Sequence, residues 1–208
     1  MVFHTVPNIV QRLFPKRIWS RSPEKNQIYL TFDDGPVPGI TDYVLNELAK
    51  RNMKATFFMV GDNVGKHPLL AREVCSENHV VANHTFHHLN GWKTKKQEYL
   101  NDFLECDRMI QQVLGKQTCL FRPPYGLLTS SQAKEILKTH SIIMWNMLSG
   151  DYDLSLNTQD ILQKSIEKTT PGSVVLFHDQ QKTSSVLPKI LPTYLDEIQD
   201  QGWETATL

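Results

Sequence analysis

The sequence is poor in cysteine, and its cysteines show no pairing pattern. Three are present, Cys75, Cys106 and Cys119, and none of them lies in a CxxC pair. An odd number at irregular spacing argues against a disulfide framework and against a zinc knuckle built on cysteine. We therefore predict that all three are buried free thiols.

An excess of charge of either sign is also missing. Lys and Arg together number 22, equal to Asp and Glu at 22, so the formal net charge is zero. A nucleic-acid-binding protein usually carries a basic surplus or a basic stripe, and this sequence has neither. Glycine-rich phosphate-binding motifs follow none of the predicted strands. We therefore expect no nucleic-acid partner and no phosphate-cradling site.

Long hydrophobic runs are absent as well. No stretch reaches the ~18 apolar residues of a spanning helix, so no membrane span is predicted. The first 20 residues contain Arg12, Lys16 and Arg17 but lack the apolar core of ~7–15 residues that is typical of a signal peptide. With Met1 as a natural start, the default location is the cytoplasm, and we expect a monomer.

What the sequence does contain is an alternation of short apolar strands and amphipathic helices. The predicted strands are 27–32, 55–60, 80–82, 141–147, 173–177 and 204–208. The predicted helices are 41–51, with Thr41 as its N-cap, 68–76, 96–114, 130–139, 158–169 and 186–201. About six strand–helix units predict parallel strands with crossover helices. A complete eight-unit barrel needs about 250 residues, so an incomplete barrel is favoured, with an open doubly wound sheet as the alternative.

Three side chains that can share one metal ion follow two of the predicted strands. Asp34 lies in the run Asp33-Asp34-Gly35-Pro36, and His84 and His88 are four residues apart. A plain turn would also explain the acidic run, and histidine pairs also occur for structural reasons. On a helical turn, however, both imidazoles would face one way and could hold one metal ion. Three ligands leave positions open, as in a catalytic zinc site, and the set also suits Co, Ni, Mn or Fe.

Other polar residues near predicted strand ends suggest acid–base chemistry. Asp33 is free to act as a general base on water at the metal site. Arg122 can hold Asp33 by a charge-assisted bond. The two prolines that follow leave the amides of Tyr125 and Gly126 available to face an oxyanion, although a plain Pro-Pro turn is an equal explanation.

A histidine at the end of another predicted strand can serve as the general acid. His178 follows strand 173–177 and can donate a proton to a leaving group. Asp151, after strand 141–147, can orient His178 and raise its pKa, with Asp153 as the second choice. The other histidines lack a comparable setting and are expected to be structural or on the surface.

Five segments, in this order, resemble the motifs of the polysaccharide deacetylase family, also called the NodB-homology domain or carbohydrate esterase family 4. They are 31–36 (TFDDGP), 84–88 (HTFHH), 122–126 (RPPYG), 151–152 (DY) and 176–178 (LFH). The resemblance implies a distorted, incomplete (β/α) barrel of seven or eight strands over residues 27–208. Residues 1–26 would then be an N-terminal extension that packs on this catalytic domain.

The resemblance also assigns a role to each residue of these motifs. It implies Asp33 as the base, oriented by Arg122, and His178 as the acid, held by Asp151. It implies the Tyr125 amide as part of the oxyanion hole. The implied metal ligands are Asp34, His84 and His88, and the implied substrate contacts are Tyr125, Tyr152 and Leu176. Tyr152 stands where the family usually has Trp, which bears on the shape of the acyl pocket.

The leading hypothesis is therefore the removal of acetyl groups from N-acetylated sugars of an oligosaccharide or polysaccharide, of the chitooligosaccharide or peptidoglycan type. It requires one divalent metal ion, zinc before the others. One alternative is an O-acetyl esterase that acts on an acetylated polysaccharide with the same residues. Another is a non-catalytic carbohydrate-binding protein, which would be expected to lack a ligand, the base or the acid. A purely structural zinc site would usually need four protein ligands.

Overall fold

The computed structural model describes residues 4–208, which form one parallel sheet with helices packed against it. The strands are β1 (Arg17–Ile18), β2 (Gln27–Asp33), β3 (Thr56–Met59), β4 (Val80–Asn83), β5 (Leu120–Phe121), β6 (Ser141–Ile143), β7 (Met147–Leu148), β8 (Val174–His178) and β9 (Glu204–Thr205). Their spatial order is β1-β6-β5-β4-β3-β2-β8-β7, with β9 beside β2. The sheet curls into an incomplete barrel, so the predicted fold class is confirmed over the doubly wound alternative.

Eight α-helices accompany these strands within residues 4–208. They are α1 (Asn8–Leu13), α2 (Thr41–Lys50), α3 (Gly61–Lys66), α4 (Pro68–Ser76), α5 (Lys96–Leu114), α6 (Ser130–Ile136), α7 (Thr158–Lys168) and α8 (Leu187–Asp200). Helices α4 and α5 have the predicted bounds, and the structure adds α1, α3, β1 and β5 to the predicted elements. The N-cap prediction for Thr41 was wrong: Ile40 is the N-cap, and the Thr41 side chain bonds elsewhere.

Strand β2 lies at the centre of the sheet and fixes the position of the first acidic residue. It pairs with β3 on one side and β8 on the other, and Asp33 lies in register with Phe58 and His178. Because all these strands are parallel, their carboxyl ends lie at one edge of the sheet. The residues that follow these strands therefore meet at that edge.

The hydrophobic core has two layers because side chains alternate along each strand. Leu30, Phe32 and Phe57 belong to the large cluster shared with α2 and α8. Tyr29 and Phe58 belong to a separate cluster formed by the opposite face of the sheet. The Phe32 and Phe57 rings stack with centroids 5.2 Å apart. Burying each such ring contributes about 1.5–3 kcal/mol, so the layers hold the strand ends in fixed positions.

The predicted strand 141–147 is in fact two strands, and the gap between them serves the site. Strand β6 ends at Ile143 and β7 begins at Met147. Between them, the Met144 amide donates to the Ile18 carbonyl at 2.7 Å, and the Met144 carbonyl accepts from Arg122 at 2.8 Å. Strand pairing therefore stops at the point where the backbone carbonyl groups turn toward the buried guanidinium of Arg122.

Two further expectations can be compared with the structure. Cys106 is buried, but Cys75 is half-buried and Cys119 is exposed, so the prediction of buried thiols was wrong for these two. None of the helices within residues 4–208 is long and apolar enough to cross a membrane. Residues 17–18 pair with β6 in the main sheet, and the division of the chain at residue 26 stays a prediction.

Candidate active site

Asp34, His84 and His88 converge at the carboxyl edge of the sheet. The Nε2 atom of His88 lies 3.0 Å from Asp34 Oδ1, and the Nε2 atom of His84 lies 3.4 Å from the same oxygen. One ligand atom from each residue lies within 4.8 Å of the other two. This spacing allows the three side chains to share one cation.

The state of Asp34 shows that these residues fit a cation. Its Oδ1 atom is buried and has no hydrogen-bond partner among the described residues. A buried carboxylate oxygen without a partner is costly unless a ligand satisfies it. Burial raises the pKa of Asp34, but the attraction of the neighbouring His84 and His88 imidazoles outweighs burial and holds that pKa well below its usual range. An ionised carboxylate with two imidazoles is a donor set for zinc and related divalent metals.

The histidine pair is positioned by a loop and not by the helical turn that its spacing suggested. Thr85 and His88 have positive φ angles of 62° and 56°, which a helix does not contain. The Asn83 side chain accepts a hydrogen bond from the Thr85 amide at 2.7 Å, and Asp102 accepts from the Phe86 amide at 2.9 Å. The structure brings the expected side chains together, but it does so with a loop in place of the expected helical turn.

His84 is oriented by a second hydrogen bond. Its Nδ1 atom lies 2.8 Å from the Arg122 carbonyl oxygen. Because a carbonyl only accepts, Nδ1 carries the proton and the lone pair of Nε2 faces Asp34. A bond of this kind fixes the tautomer of a metal-binding histidine.

Asp33 and Arg122 form a buried ion pair beside the three ligands. Arg122 Nη1 lies 2.6 Å from Asp33 Oδ1, and the side chain of Arg122 is fully buried. The same guanidinium donates to Thr31 Oγ1 at 2.8 Å and lies 4.1 Å from the centroid of the Phe58 ring. Asp33 Oδ2 is 3.7 Å from His84 Nε2, so its second oxygen faces the metal ligands.

His178 and Asp151 form a second charged pair on the opposite side of the cleft. His178 Nδ1 donates to Asp151 Oδ1 at 2.8 Å, and the His178 amide donates to Asp151 Oδ2 at 2.8 Å. Burial lowers the pKa of His178, but the Asp151 carboxylate outweighs burial and the result is a pKa of about 9. The second choice, Asp153, instead accepts from Ser155.

Tyr125 lies at the entrance of the site. Its backbone has a positive φ of 59°, and its ring lies 4.7 Å from the His88 ring. The side chain is 61% exposed. A turn of this kind presents the Tyr125 segment to the cleft directly beside a metal ligand.

A cleft of about 720 Å³ connects these groups. Besides the two acidic residues and both histidine ligands, it is lined by Tyr125, Trp145, Tyr152, Leu176 and His178. The Tyr152 and His178 rings are 5.3 Å apart. The residues with predicted substrate contacts therefore lie on the wall of one cavity, with the predicted base and acid.

Two residues near the site were missed by the sequence analysis. Trp145 lines the cleft, but it lies in the gap between β6 and β7, which the sequence did not reveal. Asp179 is buried, accepts from the Gly35 amide at 3.1 Å and accepts from the Thr41 hydroxyl at 2.6 Å. A Cβ on Gly35 would overlap the Asp179 carboxylate. The one sequence signal that could have identified Asp179 was its position directly after His178.

Comparisons with known proteins agree with this site. The family model for polysaccharide deacetylase matches residues 20–143. A peptidoglycan-N-acetylglucosamine deacetylase of Bacillus cereus is 32% identical over 174 residues, which is 81% of this chain and 63% of that protein. A peptidoglycan-N-acetylglucosamine deacetylase of Listeria monocytogenes is 33% identical over 90% of this chain, and the match covers 39% of that protein. The chain therefore spans less than two thirds of the length of these relatives.

Two other relatives match over nearly their full length, and a third matches over two thirds of its length. A further Bacillus cereus peptidoglycan-N-acetylglucosamine deacetylase is 30% identical, over 91% of this chain and 90% of that protein. The crystal structure of a peptidoglycan N-acetylglucosamine deacetylase with a bound benzamide has a TM-score of 0.84 at 28% identity, covering 98% of this chain and 95% of that chain. A pseudoenzyme of the same family from Bacillus anthracis has a TM-score of 0.80 at 26% identity, covering 92% and 67%. The chain belongs to the polysaccharide deacetylase family, carbohydrate esterase family 4.

Proposed function

We propose that the protein is a metal-dependent deacetylase that hydrolyses N-acetyl groups on glucosamine or muramic acid units of an oligosaccharide or polysaccharide. One observation carries the proposal: an oriented carboxylate, a three-ligand metal site and a protonated histidine face the same cleft. The family membership and the names of the relatives support the choice of an acetylated amino sugar.

Asp34, His84 and His88 would hold one divalent metal ion, with zinc as the first choice. When bound, such an ion polarises a carbonyl oxygen and lowers the pKa of water toward 7, which are the two properties that amide hydrolysis requires. The chain contributes the remaining groups.

Asp33 accepts the proton of the attacking water. Arg122 binds Oδ1 of Asp33 at 2.6 Å, which fixes the carboxylate and leaves Oδ2 on the side of the ligands. Water adds its oxygen to the acetyl carbon, and the carbonyl oxygen becomes negatively charged. Tyr125 lines this cavity, and its backbone amide, which the family resemblance assigns to the oxyanion hole, would stabilise that charge.

His178 completes the reaction by donating a proton. The bond between the acetyl carbon and the sugar nitrogen breaks, and the nitrogen takes the proton of His178, so the products are acetate and a free amine. With a pKa of about 9, His178 carries this proton at neutral pH. Asp151 keeps the ring oriented through the bond at 2.8 Å.

The apolar part of the cleft suits an acetyl methyl group. Leu176 and Tyr152 line the cavity beside His178, together with Trp145. Tyr152 retains a flat face where the family usually has Trp, and its hydroxyl adds a polar atom to the wall. An acetyl methyl packed here would leave its carbonyl directed toward the metal site.

The proposal is tested by measuring acetate release from N-acetylglucosamine oligomers, peptidoglycan fragments and acetylated xylan. We expect release from an N-acetylated substrate, loss of activity with a chelator, and recovery on addition of zinc. Asp33→Asn should reduce kcat by about a thousandfold or more, whereas Asp160→Asn, an exposed carboxylate on α7, should leave it unchanged.

The other outcomes separate the alternatives. Release from acetylated xylan alone would identify an O-acetyl esterase. Glycan binding without any acetate release would identify a non-catalytic protein, although this chain retains the base, the acid and all three ligands. Full activity in Asp33→Asn would contradict the assigned base.

A further inference from the structure

Trp92 is an exposed aromatic residue that the proposed reaction does not use. Its side chain is 68% exposed, although tryptophan is one of the most apolar residues by area. The other exposed aromatic residues each have a neighbour against the ring: the Arg17 guanidinium lies over Phe14, and Tyr125 packs on His88. Among residues 4–208, Trp92 is the exposed aromatic ring that lacks such a neighbour.

The Trp92 loop is held firmly in place. The indole nitrogen of Trp92 donates to the Leu128 carbonyl at 3.3 Å, and its amide donates to the Asn90 side chain at 3.0 Å. The buried side chain of Gln132 donates to the Gly91 carbonyl at 2.9 Å. The ring is thus presented to solvent in one orientation, which reduces the entropy cost of binding a ligand.

Gly91 brings this loop against the segment that carries Tyr125. A Cβ on Gly91 would lie 2.6 Å from the Leu127 carbonyl oxygen and 2.8 Å from the Leu128 Cα atom. Only glycine therefore permits this close approach. The approach places the Trp92 loop against residues that follow Tyr125 by two and three positions, and Tyr125 lines the cleft.

Trp92 is also close to the site along the chain. It lies four residues after the ligand His88, and its partner Leu128 lies three residues after Tyr125. Three residues of extended chain span at most about 11 Å, so the anchor point of the indole is near the cleft entrance. That reach is comparable to the length of a short oligosaccharide.

We infer that Trp92 is a stacking platform for a sugar ring that lies outside the catalytic cleft, a few units away from the acetylated sugar. A pyranose has an apolar face of C–H groups and a rim of hydroxyl groups, which suits a flat, solvent-facing indole. This inference rests on the proposed function, and it adds where a distal sugar unit of the glycan chain binds.

The test compares chain lengths. KM is measured for N-acetylglucosamine dimers and pentamers with wild type, Trp92→Leu, Trp92→Phe and the matched control Leu69→Ala, an exposed apolar residue on α4. In Trp92→Leu, which keeps apolar bulk but lacks a flat ring, the KM of the pentamer relative to the dimer should rise about five- to tenfold. Trp92→Phe should restore part of the difference, and Leu69→Ala should not change the ratio.

A binding measurement separates this inference from the proposed reaction. Calorimetry with Asp33→Asn and with the double variant Asp33→Asn/Trp92→Leu gives the affinity for the pentamer without turnover. Weaker pentamer binding in the double variant supports the platform even if no glycan is deacetylated. Equal affinities, or an equal effect on dimer and pentamer, would overturn it.

Discussion

At the residue scale, the charged pair of His178 and Asp151 sets the proton supply of the site. The two hydrogen bonds from His178 to one carboxylate, each 2.8 Å, hold the imidazole in a single orientation. The pKa of His178 is higher in the folded protein than the ordinary histidine value of about 6.5. The pair therefore makes its full contribution to the free energy of unfolding at pH values below about 6.5. That contribution is lost as the pH rises through about 9.

Asp151→Asn should therefore change the pH dependence of catalysis. His178 must be protonated to act as the acid, so activity falls as the pH rises through its pKa of about 9. Removing the carboxylate charge lowers that pKa, and the alkaline limb of kcat/KM should move down by about one to three pH units. The neighbouring control is Asp153→Asn, since Asp153 bonds Ser155. An unmoved limb in Asp151→Asn would show that another group controls it.

The residues of the site could be predicted better than their conformations. Asp33, His84 and His178 follow strands, and the ends of parallel strands meet at one edge whatever their order. The spacing of His84 and His88 suggested a helical turn, but hydrogen bonds from loop amides to the Asn83 and Asp102 side chains hold a loop instead. Asp179 could not be assigned, because its partners Gly35 and Thr41 reach it only after β2 and β8 pair.

At the element scale, Arg122, which follows β5, joins β2 to the end of β6. It bonds Asp33 and Thr31 on β2, and it bonds the carbonyls of Ile143 and Met144 where β6 ends. The predicted strand 141–147 assumed continuous ladder pairing. Sequence periodicity does not show that the carbonyls in the middle of this predicted strand accept hydrogen bonds from the Arg122 guanidinium and not from a neighbouring strand.

Substitution of Arg122 should cost both stability and activity. Arg122→Ala leaves the buried Asp33 carboxylate unpaired, which should lower the free energy of unfolding by about 3–5 kcal/mol. Arg122→Lys keeps the charge but cannot reach four acceptors at once, so it should lose less stability while activity stays low. Urea unfolding measures the first effect and acetate release the second. Arg108→Ala on the exposed face of α5 is the control. Full activity in Arg122→Lys would show that the planar, multi-donor geometry of the Arg122 guanidinium is dispensable.

At the scale of the whole molecule, the sequence predicted the barrel type but not the strand order. Repeated strand–helix units require parallel strands, yet the same alternation fits an open sheet. The order β1-β6-β5-β4-β3-β2-β8-β7 depends on which side-chain layers pack together. The two-residue strand Arg17–Ile18 is too short to show a periodic pattern. The three proposed metal ligands follow the ends of β2 and β4, and this assembled sheet brings them together.

Because the ligands come from separate strands, metal binding should stabilise the whole fold. An ion at about one hundred times its Kd adds about 2.7 kcal/mol, which for a domain of this size raises Tm by about 5–10 °C. Scanning calorimetry of the chelated protein with and without added zinc measures this shift. His88→Ala and Asp34→Ala should abolish it. His87→Ala is the matched control, because His87 bonds Asp102 and not Asp34. A zinc shift of wild-type size in Asp34→Ala would place the ion elsewhere.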